Sequence, residues 1–426
     1  DGPPRPRRPP PWPRPRPLPL FLLAAAGCGG AQGSAGSSDE AAGSCPAGPG
    51  ACPGTLDPQA GAGPCDFSEV LSSPADFPRE DGPKRLEGMH AICLWRSDDG
   101  GVQGYAHLGA TTGEPARNFT LARAALQSLP ALRKALAAGL GVRKKSNDWG
   151  HLDLKQDFGL FDLQGQRPST PDEVLAAGRL LLLEGGQWMW PPVRVGHTRA
   201  LGSGLELETL SLEPVVFSLK GFLKKRECKK LVKLAAAQLL KPSAVLRRSS
   251  ANYRTSTDTR LESWEHAFLR DVDQRVVNVT RIPREQHEDV QVARFEKEQY
   301  YAFHADAYDP VAHPSWDFIE HGHKNRMLTM LWYLSDVKDG GHTLFPRALG
   351  LPEPEDMHAC DQGLKVQPKR GNAIIFYNLH ANGNFDTNAR HAGCPPSKAV
   401  GKWSANKWIW NKPVPQRTSA DVKRAA

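Results

Sequence analysis

Between residues 211 and 413 the chain passes through short apolar runs: "DVQVARF", "MLTMLWYLSDV", "HTLFP", "GNAIIFYNL" and "KWSANKWIW". They are separated by Gly, Pro and Asp turns, and no helical pattern alternates with them. Strands at this spacing predict a sandwich or jelly roll. One amphipathic helix precedes them, in "SLKGFLKKRECKKLVKLAAAQL", with Leu223, Cys228, Leu231, Val232 and Leu234 to Ala236 largely on one side. The expected fold class is mainly β with flanking helices.

Upstream the pattern differs. "MHAICLWRSDDGGVQGYAHL" predicts two strands about an Asp-Gly-Gly turn. "NFTLARAALQSLPALRKALAAGL" has helical spacing, with Pro130 as a break or kink. "RLLLLEGGQWMWPPVRVG" predicts a strand, a Gly-Gly turn and a second strand ended by Pro191-Pro192. Together these outline a small α+β domain, 86–205, without a catalytic constellation; its Trp188 and Trp190 are either a peptide-binding face or a buried pair. Residues 1–85 are dominated by Pro, Gly, Ala and Ser, a composition that cannot repay the entropy of ordering. They read as a disordered leader and linker, and 414–426 as a tail.

Within the leader, Leu18 to Ala26 is apolar, with an Arg-rich flank before it and small residues after it. That is a secretory signal pattern; the competing reading is a Pro-rich tail with an incidental apolar patch. A retained leader would be a possible membrane anchor, yet no apolar run approaches the roughly 18 residues of a spanning helix. Two N-x-S/T sequons, at Asn118 and Asn278, mark candidate glycosylation sites. Eight cysteines without a CxxC pair argue against zinc ribbons and thioredoxin-type motifs. These features point to the secretory pathway, in the endoplasmic reticulum or Golgi lumen, where disulfides form. The net charge of +8 is spread through the chain, so no nucleic-acid partner is expected. The oligomeric state is left open.

The chemistry begins at "FHADAYDP". In an extended segment residues i and i+2 face the same side, so His304 and Asp306 can share a metal. A third ligand far downstream is available in "RHAGCPP", at His391. Two imidazoles and a carboxylate on one face of a metal suit Fe(II), which keeps open positions for a bidentate co-substrate and dioxygen. With fourteen histidines in the chain, His313, His321, His323, His342 and His358 are alternatives on spacing alone. Lys402, in "GKWSANKWIW", is placed to pair with the distal carboxylate of a dicarboxylic co-substrate, and Thr343 in "GGHTLFP" could donate a hydroxyl to it.

Taken in order, "RTST" (Arg254 to Thr257), "VTRIPREQHEDVQVARF", "HADAYDP", "MLTMLWYLSDVKDGGHTLFP", "KRGNAIIFYNL", "RHAGCP" and "GKWSANKWIW" resemble the blocks of prolyl 4-hydroxylases of the plant and algal type. The resemblance covers nearly all of 211–413 and says nothing of 1–205. It implies a double-stranded β-helix (jelly roll) dioxygenase that uses Fe(II), 2-oxoglutarate and O2, with ascorbate rescuing oxidised iron. His304, Asp306 and His391 would ligate iron, while Lys402 and Thr343 would bind 2-oxoglutarate. Tyr301 would act beside the peptide substrate, Arg326 and Trp408 would line its groove, and Cys360 would pair with Cys394.

The implied activity is hydroxylation of peptidyl proline to 4-hydroxyproline in proline-rich or collagen-like chains, releasing succinate and CO2. The alternatives are the same chemistry on another peptidyl residue or a non-prolyl substrate, and a non-catalytic module that grips Pro-rich chains. Three departures feed them. Phe295 stands where the family has a tyrosine reaching 2-oxoglutarate, and Trp410 replaces a histidine. The spacing from His391 to Lys402 is one residue longer, which leaves Lys398 as a fallback.

Overall fold

The structure is a computed structural model. It describes residues 65–79, 82, 84–142, 158–238, 240–243, 253–312, 317–397 and 401–415. Of the leader and linker expected over 1–85, residues 1–64 lie outside the described residues, as do His313, Lys398 and most of the C-terminal tail. The described part is not a disordered linker, since Phe67, Val70 and Phe77 are buried in the main core and Cys65 is bridged to Cys93.

A five-stranded antiparallel sheet comes first: β1 (Met89–Arg96), β2 (Val102–Leu108), β3 (Arg117–Leu121), β4 (Gly159–Phe161) and β5 (Arg179–Leu183), in the order β3-β2-β1-β5-β4. A nine-stranded sheet holds β6 (Thr198–Gly202), β7 (Leu205–Leu212), β8 (Val215–Leu219), β9 (Lys241–Pro242), β10 (Thr257–Leu261), β11 (Val290–Phe295), β13 (Arg326–Tyr333), β16 (Ala373–Tyr377) and β18 (Lys402–Trp410). Its spatial order is β6-β7-β8-β16-β13-β18-β11-β10-β9. A four-stranded sheet of β12 (Tyr301–His304), β14 (Thr343–Phe345), β15 (Leu364–Val366) and β17 (His391–Gly393) runs in the order β12-β17-β14-β15.

The central strands read as unbroken apolar runs because both of their faces are covered. In β13, Leu328, Met330 and Trp332 join the main core, while Leu331 and Tyr333 join a second cluster with Phe345 and Phe376. Helices α3 (Lys225–Ala237) and α4 (Ala267–Thr280) cover the outer face of the large sheet through Cys228, Leu231, Ala235, Leu269, Val272 and Val276. In β18 the period of two has a functional result. Ala405 and Ile409 turn to that core, whereas Lys402, Ser404 and Asn406 turn into a pocket between the sheets.

The small sheet departs from expectation in three places. "NFTL" belongs to β3, so helix α1 (Leu129–Gly139) starts late, with Ser128 accepting from Ala131 N–H and Pro130 in the first turn rather than at a kink. "QWMW" forms no strand, because Pro191 and Pro192 supply no N–H for a ladder. Trp188 and Trp190 are buried instead, their rings 5.0 Å apart, and Trp190 Nε1 donates to Val279 O at 2.8 Å. The third departure is the boundary drawn between 205 and 211, which falls inside the large sheet, since β6 and β7 extend it and the main core is shared by Leu181, Trp190, Leu328 and Ile409. Helix α2 (Pro171–Ala177) was not anticipated, nor was the disulfide Cys65–Cys93.

Candidate active site

Strands β12 and β17 pair antiparallel with His304 directly opposite His391, and Asp306 follows two residues past His304. The ligand atoms of the three lie within 4.8 Å of one another. His304 Nε2 is 3.7 Å from Asp306 Oδ1, and His391 Nε2 is 3.6 Å from Asp306 Oδ2. Each imidazole donates from Nδ1 to a main-chain carbonyl, His304 to Ala302 O at 2.8 Å and His391 to Ala389 O at 3.0 Å. That fixes the tautomer and leaves both Nε2 atoms free to ligate. Thr329 Oγ1 donates to Asp306 Oδ2 at 2.7 Å and accepts from Asn378 Nδ2 at 3.1 Å.

The charge states suit a metal. Burial holds both imidazoles below their ordinary range, with His391 adding to the effect on His304. Burial alone would raise Asp306, but the imidazoles of His391 and His304 when protonated, Arg326 and the Thr329 hydrogen bond outweigh it and hold the carboxyl below its ordinary range. With the imidazoles neutral, Arg326 and Thr329 remain. Neutral imidazoles plus a carboxylate fit Fe(II). Among the described residues, one other set of His and Cys atoms converges as closely, His342 with Cys360 and Cys394. There the two sulfurs are joined as a disulfide, and His342 Nε2 bonds Cys360 O.

The three residues open into a pocket that is also lined by Phe295, Thr343 and Lys402. Lys402 is 2% exposed, and among the described residues no carboxylate pairs with it. Burial draws its pKa down to about 7. Its Nζ lies 5.0 Å from the centre of the Phe295 ring. A buried, unpaired ammonium beside a hydroxyl fits a carboxylate ligand. The longer spacing after His391 does not disturb it, because β11 and β18 stay in register from Gln291↔Asn406 to Phe295↔Lys402.

Some site residues carry no signal in the sequence pattern. Tyr333, on β13 of the large sheet, donates its hydroxyl across to Thr343 Oγ1, on β14 of the four-stranded sheet, at 2.9 Å. Arg254, within "RTST", lies over the Tyr301 ring at 4.4 Å, and Tyr301 stacks on His304 with centroids 3.4 Å apart. Behind Asp306, and not among the residues that line the pocket, Arg326 is clamped by Glu288 (2.6 and 3.1 Å) and donates to Asp306 O at 3.2 Å. Its guanidinium covers the Trp408 ring at 3.9 Å, and Trp410 Nε1 donates to Glu288 at 2.8 Å. Glu288 and Tyr308 thus join Arg326, Trp408 and Trp410 in one aromatic and charged shelf.

A sequence profile of the 2OG-Fe(II) oxygenase superfamily matches residues 290–410. Over 216 residues the chain is 35% identical to probable prolyl 4-hydroxylase 4 of Arabidopsis thaliana, spanning 48% of this chain and 70% of that protein. Probable prolyl 4-hydroxylase 6 of the same plant is 36% identical over 210 residues, spanning 47% and 70%. A solved viral collagen prolyl hydroxylase from Paramecium bursaria Chlorella virus 1 aligns at 28% identity and a TM-score of 0.35, over 46% of this chain and 95% of that one. On its likeness to the plant proteins, the chain belongs to the plant-type prolyl 4-hydroxylases of the 2OG-Fe(II) oxygenase superfamily, dioxygenases that use Fe(II), 2-oxoglutarate and O2.

Proposed function

We propose that the chain hydroxylates peptidyl proline at C4 in proline-rich or collagen-like segments, releasing succinate and CO2. The observation that carries this is the buried His304, Asp306 and His391 set, which shares one pocket with the unpaired Lys402. His304, Asp306 and His391 would hold Fe(II), which with 2-oxoglutarate and O2 supplies the oxidising chemistry. Lys402 and the Thr343 hydroxyl would bind the distal carboxylate, with Tyr333 orienting that hydroxyl. Tyr301, sandwiched between Arg254 and His304, holds the imidazole plane and walls the pocket toward the peptide. Arg326, whose guanidinium covers the buried Trp408 ring, would shape the groove for an extended proline-rich chain from beneath, with Trp408 as its support. Ascorbate would return oxidised iron to Fe(II).

A lumenal setting in the secretory pathway is part of the same reading. Two disulfides support it, as does the exposed Asn118. Asn278 is exposed on α4, but Thr280 of its sequon is buried and donates to Val276 O. No described helix is long and apolar enough to cross a membrane.

The test is mass spectrometry of a proline-rich peptide incubated with the enzyme, Fe(II), 2-oxoglutarate and ascorbate. A gain of one oxygen, located on proline, is expected, and it is lost in His391→Ala. Trp410 bonded to Glu288 supports a second reading, a different peptidyl target. Succinate release that no proline peptide stimulates would favour it.

A further inference from the structure

The five-stranded sheet takes no part in the chemistry above, yet one end of its β1–β5 pair grips the loop that delivers His391. That loop, 378–390, leaves β16 and ends one residue before the imidazole. Gly185 N–H donates to Ala381 O at 2.7 Å, and Asn382 Nδ2 donates to Glu87 Oε2 at 3.2 Å. Arg79 Nη2 donates to Asn388 Oδ1 at 2.6 Å. The approach is close enough to require glycine. A Cβ on Gly88 (φ +75°) would lie 2.4 Å from Asn382 N, and one on Gly185 would lie 2.9 Å from Ala381 O.

The loop in turn bonds one of the three metal-facing residues and reaches a second through Thr329. Asn388 sits in the short turn Thr387–Ala389, where Asp386 Oδ1 accepts from its N–H at 2.8 Å. The next carbonyl, Ala389 O, accepts from His391 Nδ1. At the loop's start, the side chain of Asn378 bonds Thr329, which bonds Asp306. Asp386 N–H donates to Asn378 O at 3.0 Å and ties the two ends together. On this path, Arg79 and Glu87 hold the outer side of a loop whose inner side orients an imidazole and a carboxylate.

We infer that Arg79, Glu87 and Gly185 form a positioning element for the metal site, setting His391 and Asp306 by clasping loop 378–390. The inference rests on His304, Asp306 and His391 being the metal ligands. Its test is an optical titration of the full-length protein with Co(II), following the ligand-field bands. Loss of binding in His391→Ala establishes the ligand set; unchanged binding there would overturn that reading, and with it this one. With the ligand set established, Arg79→Ala and Glu87→Ala are each expected to weaken Co(II) binding by about 10- to 100-fold, the range for groups that orient metal ligands. Arg79→Lys, which keeps a donor for Asn388, should recover most of the loss. Arg96→Ala breaks an exposed pair with Asp172 in the same module and should leave binding unchanged. Co(II) affinities within about twofold of wild type in both Arg79→Ala and Glu87→Ala would overturn the inference. So would a loss shared equally by Arg96→Ala, or an altered peptide KM with Co(II) affinity intact.

Discussion

Lys402 is a charged group held where charge is costly. Its ordinary pKa of 10.5 falls to about 7 through burial alone. Between these values the unfolded chain binds a proton that the folded chain does not. Stability therefore rises with pH across that window and falls as pH drops toward 7. A bound carboxylate reverses the preference and recharges the lysine. Binding of 2-oxoglutarate to the metal-loaded, anaerobic enzyme near pH 8.5 should therefore take up a proton, a fraction approaching one per ligand. Calorimetry in buffers of different ionisation enthalpy measures this, and zero uptake would contradict the assignment. Phe295 offers a second handle, since its ring lines the pocket beside Lys402. Phe295→Tyr restores a hydroxyl that could reach the co-substrate, and a hydrogen bond to a charged group should lower its KM by about tenfold with kcat little changed. An unchanged or raised KM would place the ring away from the ligand.

At the level of elements, strand periodicity explains what could be read in the sequence. His304 and Asp306 were visible because a period of two is local, and Lys402 because it opens a recognisable strand. Thr329, Tyr333, Arg254 and Glu288 reach the site through strand register and loop closure, which leave no local pattern. "QWMW" misled because its apolar alternation suits a strand, while the prolines after it deny the ladder its donors. The disulfide Cys360–Cys394 ties the residue just after β17, three beyond His391, to the segment before β15, across a separation of 34 residues. Cys360→Ser should cost about 2–4 kcal/mol in urea melts. Because β17 carries His391, turnover should decline at temperatures below the global transition. Coincident loss of activity and fold would argue that the bridge is only a global staple.

Across the whole molecule, the main core runs without a break from Leu181 and Trp190 through Val272 to Leu328 and Ile409. Composition separated an upstream α+β region from a jelly roll, but composition does not report a shared interior. A fragment beginning near residue 196 would leave the apolar surface packed against Trp188 and Trp190 uncovered. It should show no cooperative melting and should bind a hydrophobic dye, whereas the full chain melts in a single transition. A fragment that melts cooperatively on its own would mean that the two sheets are energetically separable.

The pairing of His304 with His391 also bears on how the protein is made. Strands β12 and β17 are neighbours in space but far apart along the chain, and β16, which leads into the loop ahead of His391, pairs with β8, also distant in sequence. Contacts of such long range pay the entropy of closing large loops before they gain stability, which slows folding. Because His304 and His391 meet only through that pairing, a chain whose β12 and β17 are not yet paired is expected to hold iron poorly.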